Sequence, residues 1–272
     1  MPKELIYTSA ERGLRPGTRG FCTVAYTRGM SPALVRILES LSAYKALYAD
    51  HDPRAASNPI AFSHYRYMLD GRGLSILSRI AGTGVDHTRR NNKIAHHLSL
   101  RDQERPEAGP AWLLSQECAF HTCWTEPPQL LESPPSLPPE PEGAEPLGAL
   151  TWQQLTGDAG WAGELAQSCL LHPREPVYIV APPDVDMLRL FAEALALLPV
   201  RKRWQVSFNT YFNTAPAGAS CLWRGCVPDA ECLRSAQRGG RNRIFDLGLL
   251  TQSAPSQNSL VETARASVRE MK

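Results

Sequence analysis

No stretch of this chain approaches the roughly 20 consecutive apolar residues that a membrane-spanning helix requires, and Met1-Pro2-Lys3-Glu4 leads into no signal-type apolar core. A cytoplasmic protein is the default expectation. Strong charge of either sign is also missing: 29 Lys+Arg stand against 27 Asp+Glu, a formal +2 over 272 residues. That balance provides no bulk attraction to nucleic acid or to a membrane surface, so neither is expected as a partner. The glycine-rich Walker pattern, the dinucleotide fingerprint and the Gly-x-Ser-x-Gly of a nucleophile elbow are all absent. No cofactor and no catalytic set is therefore assigned from motifs. Nor is there a disulfide framework. The seven cysteines, Cys22, Cys118, Cys123, Cys169, Cys221, Cys226 and Cys232, are odd in number and scattered through a chain too large to need stapling. They read as free thiols. Cys118 and Cys123, with His121 between them, and Cys221 and Cys226 are pairs five residues apart, whereas zinc ribbons and knuckles use a two-residue gap. Positions five apart face opposite ways on a strand and lie about 140° apart on a helix, so no metal site is expected.

What the chain does have is an ordinary globular composition, 43% apolar and 21% charged, at a length that supports two cores. Its charge is unevenly placed. Residues 1–125 carry 16 Lys+Arg against 11 Asp+Glu, whereas 126–146 carry five glutamates, eight prolines and no base. That composition is typical of an extended solvated linker, with a surface loop pinned by Leu130, Leu131 and Leu137 as the alternative. The expected layout is an N-terminal α+β domain over 1–125, a Pro/Glu-rich linker over 126–146, a second α/β domain over 147–250 and a polar tail over 251–272.

Local patterns fill in the architecture. Leu5-Ile6-Tyr7 and Gly20 to Tyr26 read as strands of a hairpin joined through Gly13, Pro16 and Gly17. Ser31-Pro32 supplies an N-cap and a first-turn proline for a helix carrying Leu34, Ile37, Leu38, Leu41 and Leu47. Ile60 to Leu69 and Leu74 to Ile80 flank Asp70-Gly71, a hairpin-turn pair, and Ile94 to Leu100 is a further strand. Trp112-Leu113-Leu114 and Phe120 to Trp124 are apolar enough to dock back on this domain. In the second part, Trp161 to Leu171 is helical, Val177 to Ala181 is a buried strand, and Asp184 caps a helix carrying Met187, Leu190, Phe191, Ala194, Leu195 and Leu198. Trp204 to Tyr211 alternates like a strand, Cys221 to Trp223 and Ile244-Phe245 are further strand candidates, and Ser259 to Glu270 reads as a terminal helix. The fold class is α+β: two domains, the first an antiparallel sheet packed on a helix, the second a smaller mixed α/β unit.

Chemistry concentrates in one place. Asp86, His87, Arg89, Arg90, Asn91, Asn92 and Lys93 run directly into Ile94-Ala95-His96-His97-Leu98. A carboxylate, histidines and a lysine are raw material for acid–base work, but on a strand His96 and His97 point to opposite faces, so at most one can serve a given site. Arg89, Arg90 and Lys93 around two asparagines also suit a phosphate group or base edges. The third reading is a protein-contact or structural surface. Arg12, Arg15 and Arg19 form a basic rim on the first hairpin, beside Tyr7, Phe21 and Tyr26.

Tyr7-Thr8-Ser9-Ala10-Glu11-Arg12-Gly13-Leu14, Gly20-Phe21-Cys22-Thr23-Val24-Ala25, Leu38-Glu39-Ser40-Leu41-Ser42, Asn58-Pro59-Ile60-Ala61-Phe62-Ser63-His64 and Arg89 to His97 together closely resemble the type 2 N-terminal domain of bacterial GTPase-associated protein 1. This resemblance covers 1 to about 125. Leu150 to about Leu250 resembles the middle domain found beside it. It implies a non-enzymatic adaptor of a bacterial conflict or defence system, with a GTPase or its associated subunits as partner, and a further C-terminal domain that a truncated or shorter chain would lack. No catalytic residues carry over from it. The competing reading is an enzyme or binding protein for a phosphorylated small molecule or nucleotide, working through 86–97.

Overall fold

The computed structural model describes residues 1–49, 51–140, 147–216, 218–238 and 242–270; the 141–146 part of the Pro/Glu-rich segment lies outside them. The chain forms two compact units, one built from 1–105, 116–138 and 215–219, the other from 106–115, 139–214 and 220–272. Each is described by itself.

The first unit begins with the antiparallel hairpin β1 (Lys3–Ala10) and β2 (Gly20–Thr27). Helix α1 (Pro32–Leu41) follows, its first turn closed by Ser31, whose side chain accepts from the Leu34 amide at 3.3 Å, with proline pre-set for helical φ beside it. Leu34, Val35, Leu38 and Leu41 form its buried stripe. Leu47 does not extend that stripe as its spacing suggested. The helix ends at Leu41, and Leu47 lies in the following loop, 37% exposed. Strands β3 (Ala61–Leu69) and β4 (Arg72–Val85) pair through the Asp70-Gly71 turn, both of whose φ angles are positive (50° and 71°), which is why an Asp-Gly pair occupies it. Strand β5 (Asn91–Leu100) runs antiparallel to both β4 and β1, and β6 (Gln129–Leu131), within the proline-rich segment, adds in parallel to β2. The spatial order is β3-β4-β5-β1-β2-β6.

The register sorts side chains between two faces. Leu5 and Ser78 both oppose His97, while Ile6 and Arg79 oppose His96. From Ile94 to Leu100 every residue of β5 is buried, so this strand is covered on both sides and is the core of the unit.

The second unit takes in 106–115 and the C-terminal segment as well as 139–214. Helix α2 (Pro110–Ser115), carrying Trp112-Leu113-Leu114, which the sequence assigned to the first domain, belongs to this unit and packs against α5 (Met187–Ala196). Its helices also include α3 (Leu150–Thr156) and α4 (Gly160–Leu171). Strands β7 (Val177–Val180), β8 (Phe208–Asn209), β9 (Trp223–Cys226) and β10 (Arg243–Asp246) are all parallel, in the order β10-β7-β9-β8. Parallel strands need crossover connections: α5 with the short α6 (Val200–Arg203) lies between β7 and β8, and α7 (Glu231–Arg238) between β9 and β10. Phe191 of α5 fills the space over the sheet, 5.5 Å from the Phe208 ring and 5.6 Å from Trp223.

Two local expectations are corrected. Asp186, not Asp184, caps α5, accepting from the Arg189 amide at 2.9 Å, because Pro182-Pro183 lead into a turn that delays the helix. The alternation from Trp204 to Tyr211 gives only two strand residues. Trp204, Val206, Phe208, Tyr211 and Phe212 are all buried, and Gln205 and Val206 still donate to Lys202 and Arg203 in the turn that ends α6.

Past the short α8 (Leu247–Leu250), α9 (Ser259–Arg269) packs on α4 through Val261, Ala264 and Val268. A Cβ at Gly163 would lie 2.4 Å from the Leu260 backbone, so only glycine permits this approach. Arg265 fastens the helix to Asp158 at 2.9 Å.

Helix α3 has alanine at its N-cap and no capping side chain of its own. Glu193, fully buried in the middle of α5, takes that role. Its carboxylate accepts from the Thr151 and Trp152 amides at 3.0 and 3.3 Å and from the Thr151 hydroxyl at 2.7 Å, while Arg189 Nε lies 3.1 Å away. A buried charge with this many donors is costly to remove, because the donors are left bare. Glu193→Ala is expected to lower the unfolding free energy in urea by about 3 kcal/mol. Arg189→Ala, which leaves the amides capped and removes a half-exposed partner, should cost less than about 1 kcal/mol. Equal losses would contradict the capping role.

Candidate functional site

The polar segment 86–97 forms the tip of the β4–β5 hairpin and the start of β5. Its turn is organised by Asp86. The Asp86 amide donates to the Arg90 carbonyl at 2.8 Å, and Oδ1 accepts from the Thr88 amide at 2.7 Å, the Thr88 hydroxyl at 2.6 Å and the Arg90 amide at 3.1 Å. Oδ2 accepts from Ser9 Oγ at 2.7 Å, tying the tip to the end of β1. These donors, the Thr88 and Ser9 hydroxyls foremost, hold the Asp86 carboxyl well below the usual carboxylate range. A carboxylate so engaged shapes a turn and is unsuited to taking up a proton. Arg89 takes φ of 61°, the left-handed conformation that completes the turn.

Asn92 and Lys93 also serve the fold. Asn92 Oδ1 accepts from the Ser9 amide at 3.1 Å and the Lys93 amide at 2.8 Å, continuing the β1–β5 tie beyond the ladder. Lys93 Nζ donates to the carbonyl of Ser42, the C-cap of α1, at 2.6 Å and lies 5.1 Å from the Phe21 ring centre and 5.9 Å from that of Tyr7. A cation suits both the negative end of a helix and aromatic faces. Burial pushes its ammonium below the ordinary lysine range.

The two histidines are buried on opposite faces, and their hydrogen bonds define their tautomers. His96 Nδ1 accepts from the His121 amide at 3.0 Å, so the ring proton sits on Nε2, which donates to Glu4 Oε2 at 2.8 Å. Phe120 and His121 close over the ring, with centroids 5.4 and 5.1 Å away. Desolvation depresses His96, and the Glu4 carboxylate opposes this in part. On the other face, Ser42 Oγ donates to the Leu38 carbonyl at 3.1 Å and so accepts from His97 Nε2 at 2.8 Å, which leaves Nδ1 to accept from Ser78 Oγ at 2.7 Å. Burial, with His96 and Lys93 nearby, lowers His97 to about 3. Neither ring has a free lone pair or proton to offer a substrate. Glu4, Ser42 and Ser78 were not identifiable from sequence, since each lies on a different element and meets its histidine only through strand register.

The remaining candidates face outward. His87, Arg89, Arg90 and Asn91 are exposed, as are Arg12, Arg15 and Arg19. Arg15 pairs with Glu39 at 3.5 Å. No side-chain hydrogen bond or ion pair within the described residues engages Arg12, Arg19, His87, Arg89, Arg90 or Asn91. The Ser9–Asp86 bond places the hairpin tip and the β1–β2 loop at the same end of the sheet. Beside them lies a groove of about 710 Å³ whose lining includes Phe21, Tyr44, Ile60, Val85, Asn91 and Lys93. Phe21 and Val85 are large exposed apolar side chains at its rim. Among the described residues no group of three or more His, Cys, Asp or Glu is arranged to hold a metal ion, and no helix is long and apolar enough to cross a membrane.

The chain is thus a mixed α/β protein of two units, the first of which exposes arginines at one end of its sheet. Residues 1–139 match the family model for GTPase-associated protein 1, N-terminal domain type 2, and residues 149–248 match that for GTPase-associated protein 1, middle domain. The chain belongs to the GTPase-associated protein 1 family and carries these two domains in that order. No curated protein and no solved structure matches it.

The buried state of His97 has a consequence for acid stability. The folded protein keeps the ring neutral down to about pH 3, whereas the unfolded chain protonates it near 6.5. The stability His97 contributes is therefore complete above pH 6.5 and is lost as pH falls toward 3, on the order of 5 kcal/mol over the full span. Urea unfolding of the wild type should weaken more steeply across this range than that of His97→Gln. Parallel profiles would contradict the neutral, buried assignment.

Proposed function

We propose that this chain is a non-enzymatic adaptor of a GTPase-linked bacterial conflict or defence system, acting in the cytoplasm. Its partner is the GTPase or one of its associated subunits. The observation that carries this reading is a division of labour along one segment. Asp86, Asn92, Lys93, His96 and His97, the residues with acid–base or ligand chemistry, are bonded into the fold. Arg89, Arg90, Arg12 and Arg19 stand exposed at the same end of the sheet, beside Phe21 and Val85. Exposed guanidinium groups around apolar side chains suit a protein surface, because arginine and aromatic residues are the side chains most enriched at interface hot spots. Family membership supports the GTPase as the partner.

A second reading rests on the groove. Phe21 and Tyr44 could flank a base or sugar there, with Lys93 and Asn91 near a phosphate. Lys93 Nζ is already bonded to the Ser42 carbonyl, which favours the adaptor.

The test uses the tagged full chain as bait in its own cell extract, with GTP-binding proteins in the recovered fraction labelled by a photo-crosslinkable GTP analogue. Arg89→Glu/Arg90→Glu should reduce the recovered GTP-binding protein by roughly tenfold or more, since a charge reversal at a contact both loses attraction and adds repulsion. Unchanged recovery removes the hairpin tip as the contact. Direct labelling of the bait itself would favour the nucleotide-binding reading.

A further inference from the structure

The middle-domain unit contains a thiol pair that sequence spacing does not reveal. Cys226 ends strand β9 and Cys232 lies in the first turn of α7; between them Val227-Pro228-Asp229-Ala230 make the turn, with Asp229 at φ of 62°. That turn folds the chain back so that the two sulfurs lie 3.4 Å apart. Both also approach the Phe212 carbonyl, Cys226 at 3.8 Å and Cys232 at 3.4 Å. Cys226 is buried, whereas Cys232 is partly exposed. The guanidinium of Arg224 sits 4.6 Å from the Phe212 ring centre and supplies the local positive charge, and Cys221 is the other nearby thiol.

We propose that Cys226 and Cys232 form a redox-active dithiol that a peroxide converts to an intramolecular disulfide. Cys232 is the attacking group because it is the sulfur that solvent reaches. Its thiolate is stabilised first by the Cys226 S–H, then by the Leu233 and Cys232 amides of the helix start and by Arg224, which bring it down to about 7. The same coupling and its burial push Cys226 up, so Cys226 keeps its proton and donates it to Cys232. Elsewhere burial pushes Cys169 up to about 12 and also raises Cys22, which leaves those thiols unreactive at neutral pH.

The chemistry balances in two steps. The Cys232 thiolate attacks one oxygen of hydrogen peroxide, breaking the O–O bond to give Cys232 sulfenic acid and hydroxide. The Cys226 sulfur then attacks the Cys232 sulfur, an S–S bond forms as the S–O bond breaks, and the thiol proton leaves with the hydroxyl as water. Two thiols are oxidised by two electrons, and one peroxide is reduced to two waters. The sulfurs close from 3.4 Å to the roughly 2.05 Å of a disulfide. The bond would fix the start of α7 to the end of β9.

The experiment treats the reduced full chain with equimolar hydrogen peroxide at pH 7, alkylates it and maps its peptides by mass spectrometry. A Cys226–Cys232 cross-linked peptide, two hydrogens lighter than the dithiol form, should appear at least about tenfold faster than oxidation at Cys169. Its rate should rise through a midpoint near pH 7. In Cys226→Ser, Cys232 should stop at the sulfenic acid and be trapped by dimedone, whereas Cys232→Ser should leave Cys226 unmodified. The proposal is overturned if Cys118 and Cys123 oxidise while the pair stays reduced, or if Cys232 oxidises in the wild type without linking to Cys226. The wild-type mapping gives either result without depending on the folding of a variant.

Discussion

Strand β5 is the constraint on which the first unit depends, because it is buried on both faces and yet carries two adjacent histidines. A strand sends neighbouring side chains in opposite directions, so each face receives one imidazole that must be satisfied without water. On one face His97 bridges Ser78 of β4 to Ser42 at the end of α1, and on the other His96 links Glu4 of β1 to the His121 amide. Two neighbouring residues thus tie three elements and the 116–124 segment to one strand. Unpaired, each would be a buried polar group costing about 1–3 kcal/mol; paired, they set register and the position of α1.

That arrangement separates structure from contact within a few residues. Lys93 and Asn92, where β5 leaves the core, still support the fold, and Asp86 closes the turn through its own backbone and Ser9. At the tip, His87, Arg89, Arg90 and Asn91 turn outward, as do the neighbouring β1–β2 arginines. A hairpin tip tied down by the Asp86 hydrogen bonds presents such groups at lower entropic cost than an untied loop, which favours a protein contact. The density of donors that marks 86–97 in the sequence has two origins, a turn that needs acceptors and a surface that carries charge.

Much of the first unit was legible in the sequence because its signals are local. Ser31-Pro32 starts a helix and Asp70-Gly71 turns a hairpin wherever they occur, and the alternation of β1 and β2 needs no distant partner to be read. What the sequence concealed depends on long-range contact. Leu47 continues the helical spacing of α1, but the chain has already left the helix at Ser42. Glu193 looks like a solvent-facing glutamate of α5, yet it caps a helix more than 40 residues earlier. The pair Cys226 and Cys232 escaped a spacing argument because a strand end and a helix start are joined by a sharp turn, so neither the strand nor the helix period applies. In the candidate site, the opposite facing of His96 and His97 was readable; the groups that satisfy them were not.

Both β5 histidines act as neutral structural bridges, and imidazole nitrogen NMR tests this most directly. Long-range ¹H–¹⁵N correlation spectra of the folded protein should show His96 and His97 both as the Nε2–H tautomer, with shifts that do not move between pH 5 and 8. A titration near neutral pH at either ring, or an Nδ1–H tautomer, would contradict the account and return that histidine to acid–base chemistry.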